Sequence, residues 1–399
     1  MPHDTLIVDA EGLAADLVAL RRAIHAEPEL GLHTPKTLQK VRAALADLPL
    51  EWKQGPSCSG AVAVLKGRAG AGRAVLLRGD MDALPMPEET GLPFASTVPN
   101  TMHACGHDAH TAMLAGAARL LASRVDSLKG AVHFMFQPGE EGHHGARFML
   151  DDGLLDPLPD AAFALHVFPN APHGLIGSRA GPLLAAADQF RITVRGRGGH
   201  ASLPHETLDP VPVACEIVTA LQAMVTRKFS VFDPVVLTVA RIEAGTTHNV
   251  VPDSAQIHGT MRSLSPTNRE RLRDGARLIA AGIAGAHELT AEVEIIEGFP
   301  VTICDERAVA LGERVSGELY GDSAFMRLEN PIMGAEDFAY ILEKVPGAMF
   351  FLGVSHEGED WTKCCGIHST RMMIDESVLP RGAAMLAGLA HAFLSRGFD

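Results

Sequence analysis

Met102-His103-Ala104-Cys105-Gly106-His107-Asp108-Ala109-His110 holds one thiol, one carboxylate and three imidazoles, and the apolar run Met113-Leu114-Ala115-Gly116-Ala117-Ala118-Arg119-Leu120-Leu121 follows it at once. The run reads as a helix, so the cluster sits on a loop entering a helix, a common place for functional groups held by rigid elements. A single glycine separates Cys105 from His107, so one tight turn can aim both at a point. Thiolate and neutral imidazole are ligands for a borderline-soft divalent metal. The plainer alternative is a buried cysteine with surface histidines around it.

Working outward, short apolar strands alternate with helices. Strands are expected at 61–66, 74–78, 131–137 and 160–167, and helices at 13–25, 35–48, after the cluster to about 123, and near 145–150. That alternation predicts an α/β layer with a mainly parallel sheet. Active groups in such sheets gather beyond the carboxyl ends of the strands. The pairs Asp80/Asp82 and Glu140/Glu141, and His166, each fall just after a strand. Ligand-type residues at three separate strand ends favour a metal site over unrelated polar residues.

The candidate ligands are Cys105, His107, Glu141, His166 and, from the C-terminal part, His368. A single tetrahedral site takes fewer, so two ions sharing a bridge, about 3.5–4 Å apart, are expected. In the Glu140-Glu141 pair one carboxylate can ligate a cation while its neighbour serves as general base and then general acid. Two solvated acids in a turn are the alternative. Asp80 and Asp82 either orient a ligating imidazole or bridge two ions; surface acids are the alternative there.

The pattern changes near Leu184. Strands at 188–196, 235–243, 254–262 and 289–297, with helices at 210–226 and 266–284, give the order β-α-β-β-α-β of ferredoxin-like modules. The later residues return to α/β character and close on a helix at 379–394. The expected organisation is a catalytic domain over 1–185 and 298–399, interrupted by an inserted α+β lid over 186–297. Gly196-Arg197-Gly198-Gly199-His200-Ala201 matches a dinucleotide-binding pattern, but Pro204, Pro210 and Pro212 deny the helix that a pyrophosphate needs. That turn more simply presents His200. Asn249, in a turn between two strands, and Arg262, at the end of the second, suit a carboxylate, which arginine binds bidentately. A structural turn asparagine and a surface arginine are the alternatives.

Composition narrows the function. A length of 399 residues predicts two or three domains. A net charge of −14 argues against nucleic acid and means that an anionic substrate needs a local positive group. Neither an export signal nor an apolar run of the roughly 18 residues needed to span a membrane is evident. Six cysteines, scattered or adjacent, do not make a disulfide framework, and a cytoplasmic location is expected. H-E-x-x-H and G-x-S-x-G are absent. Cys105 as a nucleophile would leave Glu140, Glu141 and His166 without work.

The chain resembles the M20 metallopeptidase family, subfamily D, which holds hippurate hydrolases, bacterial N-acyl-amino-acid amidohydrolases and plant auxin-conjugate hydrolases. The marks are His25-Ala26-Glu27-Pro28-Glu29-Leu30, Asp80-Met81-Asp82-Ala83-Leu84-Pro85, Met102 to His110, and Gln137-Pro138-Gly139-Glu140-Glu141. Further marks are Ala164-Leu165-His166, Gly198-Gly199-His200-Ala201, Asn249-Val250-Val251-Pro252-Asp253, Gly334-Ala335-Glu336-Asp337-Phe338 and His368-Ser369. The resemblance implies a zinc-peptidase-like α/β catalytic domain and two divalent ions per subunit, Zn²⁺ or Mn²⁺ foremost, with Co²⁺ or Ni²⁺ as alternatives. It implies Cys105 as the bridge, His107, Glu141, His166 and His368 as the other ligands, and Glu140 as the base. By the same resemblance His200 stabilises the oxyanion, in relatives sometimes from a partner subunit, and Asn249 and Arg262 surround the substrate carboxylate.

The activity so implied is hydrolysis of the amide of an N-acyl-L-amino acid, hippurate-type or N-acetyl, by a homo-oligomer, dimer or tetramer, assembled through the lid. One rival is an N-acetyl-diaminopimelate-type deacetylase or small-peptide hydrolase with the same machinery. Another is a metal-stabilised binding protein without catalysis, against which the retained Glu140 argues. Two departures stand out: Ala109 where relatives often have Gly, and Ser369-Thr370-Arg371-Met372-Met373 where many read Ser-Pro and an acidic-aromatic run. The second borders the expected site, as does Trp361-Thr362-Lys363-Cys364-Cys365, so substrate preference is what these segments bear on.

Overall fold

Residues 3–399 are described by a computed structural model. Three helices lead the chain: α1 (His3–Gly12), α2 (Ala14–His25) and α3 (Pro35–Ala44). Pro35 opens α3 because the first turn has no intrahelical use for the N–H it lacks. Then come β1 (Leu50–Gln54), β2 (Ala61–Lys66), β3 (Ala74–Asp80), α4 (His107–Ala122), β4 (Ala131–Gln137), α5 (Gly145–Asp151), β5 (Ala161–Phe168), β6 (Ile176–Ser178) and β7 (Gly181–Leu184). After the inserted region follow β14 (Thr302–Cys304), α8 (Glu306–Tyr320), β15 (Phe325–Arg327), α9 (Ala339–Leu342), β16 (Gly347–Gly353) and α10 (Leu379–Arg396).

The first compact unit takes the residues up to Leu183 with Ile303–Asn330 and Asp337–Asp399. Its eight-stranded sheet has the order β1-β2-β4-β3-β5-β16-β6-β15. The four central strands, β4-β3-β5-β16, run parallel. β5 and β16 are buried along nearly their whole length, without polar alternation, because helices cover both faces of such a sheet. α4 is buried at every position but Arg119 and packs with α10 against β3. The segment Glu376–Arg396 is long and apolar enough to cross a membrane, but its apolar 18-residue stretch is 78% buried in the interior, as in a core helix. The parallel strands all end at one edge, and Asp80, Gln137 and Phe168 bring their loops there.

The second unit comprises Leu184–Thr302 and Pro331–Glu336. It holds β8 (Ala186–Arg195), β9 (Gly199–His200), α6 (Pro210–Lys228), β10 (Val235–Ala244), β11 (Val250–Val251), β12 (Ser254–Ser263), α7 (Pro266–Ala286) and β13 (Thr290–Glu297). The main sheet, β10-β12-β8-β13, is antiparallel and carries the two helices, which is the expected split β-α-β-β-α-β arrangement. Phe190, Ile192 and Val194 alternate inward along β8 and meet Ile217, Leu221, Leu272 and Ala276 of the helices. An α/β catalytic domain with a separate β-rich insert is therefore the fold.

Candidate metal centre

The turn before α4 depends on Gly106. Its φ is +84°, and a Cβ there would lie 2.3 Å from Val167 Cγ2. Only glycine meets both demands, and the helix can then start at His107 with Cys105 just outside it.

Potential ligand atoms fall in overlapping groups, each within 4.8 Å: Cys105/His107/His166, Cys105/Glu141/His368, His107/Glu140/Glu141 and Asp80/His107/His110. Cys105 Sγ lies 3.4 Å from His166 Nε2. His368, held at φ +63° with its N–H donating to the Ala104 carbonyl, sets Nε2 3.2 Å from Glu141 Oε1. Glu140 and Glu141 each place a carboxylate oxygen 4.0 Å from His107 Nε2.

His107 tests whether this arrangement suits a metal. The ring is fully buried, and neither nitrogen has a hydrogen-bond partner among the described residues. Its nearest carboxylate oxygens, on Asp82 and Asp80, stand 3.5 and 3.6 Å away. Buried imidazoles in folded proteins are normally satisfied. An unsatisfied one ringed by thiol, imidazole and carboxylate donors fits a divalent cation. Burial also pushes the Cys105 thiol up, so a thiolate here calls for a neighbouring cation. Burial holds the His166 ring well below the usual histidine range, in the neutral form that ligates.

The loop carrying the two glutamates is fixed by backbone bonds. Asp82 accepts the Glu140 N–H on Oδ1 and the Glu141 N–H on Oδ2, both at 3.0 Å. Asp337 accepts from Gln137 Nε2 at 2.7 Å, from Arg78 Nη2 at 3.1 Å and from the Ala146 N–H at 2.9 Å. Arg78 reaches Asp80 Oδ2 at 2.6 Å. Burial resists charge on Asp80, but Arg78 and the nearby imidazoles outweigh it and keep the carboxyl well below its ordinary range. Behind the site, His25 Nδ1 and Arg21 Nε both meet Asp108 Oδ2, at 2.7 and 2.9 Å.

The structure thus brings Cys105, His107, Glu140, Glu141, His166 and His368 together at the sheet edge. The lid candidates lie in the second unit. His200 pairs with Val250 in the β9–β11 ribbon, and the Ala201 N–H donates to the Asn249 carbonyl at 3.1 Å, so His200 and Asn249 are neighbours. Arg262 is half-buried on β12, where its guanidinium donates to Thr260 Oγ1 and the Met261 carbonyl. Arg78, Gln137 and Asp337, and His110 within the cluster, do not stand out from the sequence as site residues. The only signals for them were polar residues inside apolar strands and the quoted motifs.

Fold and donor groups together define a metal-dependent hydrolase with a binuclear centre. The profile of peptidase family M20/M25/M40 matches residues 76–392, and the chain belongs to that family. It is 38% identical over 388 residues to thermostable carboxypeptidase 1 of Saccharolobus solfataricus, covering 96% of this chain and 95% of the relative. It is 37% identical over 375 residues to N-acetylcysteine deacetylase of Bacillus subtilis, covering 94% and 96%. The crystal structure of the Bacillus subtilis YXEP protein, described as a dinuclear metal binding peptidase from the M20 family, superposes with a TM-score of 0.83 at 34% identity, covering 96% of this chain and 99% of that one.

Proposed function

We propose that the protein cleaves the amide of N-acyl-L-amino acids, hippurate-type or N-acetyl, as a subfamily D member. The observation that carries this is the pair of donor groups sharing Cys105, with Glu140 beside them. The relatives named as a carboxypeptidase and an N-acetylcysteine deacetylase share one substrate chemistry, an amide next to an amino-acid carboxylate. Cys105, which two of the donor groups share, would hold two divalent ions together with His107, Glu141, His166 and His368. Such ions, Zn²⁺ or Mn²⁺, would supply Lewis acidity toward the carbonyl and acidify a water.

Glu140 takes the water proton and delivers it to the leaving amine. Asp82 keeps both glutamates in place through their N–H groups. His200 donates to the oxyanion that develops on the substrate. Asn249 and Arg262 receive the substrate carboxylate, giving an acidic protein the local positive group that it needs. Assembly as a homo-oligomer through the second unit belongs to the same reading. So does a cytoplasmic location, supported by six cysteines that are all free.

The test is release of free amino acid from a panel of benzoyl- and acetyl-amino acids, with each metal added back to metal-free protein. Turnover of hippurate-type or N-acetyl substrates is expected. Turnover of unblocked dipeptides alone, or of nothing, would overturn the substrate assignment.

A further inference from the structure

Val167 lies one residue past His166, where β3 no longer runs alongside: the last registered pair of the β3–β5 ladder is Arg78 with Ala164. Main-chain groups buried at such a place need other partners. Two imidazoles take them. The Val167 N–H donates to His110 Nε2 at 2.8 Å, and the Val167 carbonyl lies 2.7 Å from His166 Nδ1. His110 Nδ1 in turn lies 2.6 Å from Asp80 Oδ1. His110, His166, Val167 and Asp80 are all buried.

Donor and acceptor accounting leaves one assignment of hydrogens. A backbone N–H only donates, so His110 Nε2 presents a lone pair, and the ring proton sits on Nδ1, donating to Asp80. A carbonyl only accepts, so His166 Nδ1 carries a proton, and in the neutral ring that leaves Nε2 bare, 3.4 Å from Cys105 Sγ. Both nitrogens of His110 are engaged, which removes it as a ligand although its atoms fall in a donor group with Asp80 and His107.

We propose that His110 is a positioning residue: Asp80 fixes its tautomer, its Nε2 anchors the Val167 main chain, and the Val167 carbonyl holds His166 with Nε2 presented beside Cys105. This rests on the metal-centre reading above. It implies that His110 tunes one of the two ions, the one held by Cys105, His107 and His166, and spares the one held by Cys105, Glu141 and His368.

The experiment titrates Zn²⁺ into metal-free parent, His110→Ala and His110→Gln against a chelator of known affinity. The Co²⁺ absorption spectrum is recorded in parallel. His110→Ala is expected to weaken one ion by about 10–100-fold, the usual effect of losing a group that orients a ligand, and to leave the other unchanged. The glutamine carbonyl reaches the Val167 N–H, so His110→Gln should recover most of the affinity and the parental Co²⁺ spectrum. Equal affinity in His110→Ala, or no recovery in His110→Gln, would overturn the proposal.

Should the variants fail to fold, ¹⁵N-histidine spectra of the metal-free parent decide. A neutral His110 ring protonated on Nδ1 supports the assignment, and an Nε2–H tautomer or an imidazolium defeats it. A parent that binds no pair of ions would defeat the metal-centre reading instead, and the tautomer measurement would still judge His110.

Discussion

Glu140 and Glu141 are adjacent and chemically alike, yet their surroundings differ. Glu141 meets His368 at 3.2 Å and groups with Cys105, whereas Glu140 groups with His107 and Glu141 without the thiol. The proposed roles, Glu141 as a ligand and Glu140 as the proton carrier, are built on that difference. Replacing Glu140 with Gln should keep both ions, by elemental analysis, and lower kcat by about 10²–10⁴-fold, the range for losing a general base. Parental turnover, or loss of metal in step with activity, would contradict the assignment. At this scale the sequence was informative where residues cluster along the chain, as from Cys105 to His110. It was silent where partners are remote: Asp337 meets Gln137 across 200 positions, and nothing local announces such a bond.

At the scale of elements, the loop after β4 is tied down by hydrogen bonds to carboxylates. Asp82 takes two of its N–H groups, and Asp337 takes that of Ala146 in the first turn of α5. Hydrogen bonds to charged groups contribute roughly 1.5–3 kcal/mol each. Asp82→Ala should therefore lower the thermal midpoint and reduce kcat, because the loop no longer fixes Glu140. A normal midpoint and normal kcat would show that the loop holds itself. Elements with a strong period were legible: β8 alternates Phe190, Ile192 and Val194 against polar or charged neighbours, and α2 spaces Leu17 and Ile24 on one face, whereas the sequence did not place α8 or the central strand β16. α1 went unassigned in the sequence, since Leu6 and Ala10 give only a short apolar face among acids. The return of Pro331–Glu336 to the second unit also has no local signal, because six irregular residues carry no period.

Over the whole molecule, the acidic balance makes the few buried charges informative. In the second unit, burial would raise the Asp188 carboxyl, but hydrogen bonds from Arg269 and Arg273 outweigh it and hold it at about 2. An unfolded aspartate titrates near 3.9, so the folded state favours the ionised form by roughly 2–3 kcal/mol. That stabilisation is complete above about pH 4 and fades as pH falls toward 2. The gap in thermal midpoint between parent and Asp188→Asn should therefore narrow from pH 5 to pH 2.5; a constant gap would contradict the coupling.

The most direct measurement of the central claim is the anomalous difference map of crystals grown with Zn²⁺ or Mn²⁺. Two peaks are expected, both beside Cys105 Sγ, one shared with His107 and His166 and the other with Glu141 and His368. A single peak, or ions bound elsewhere with His107 left unsatisfied, would contradict the account.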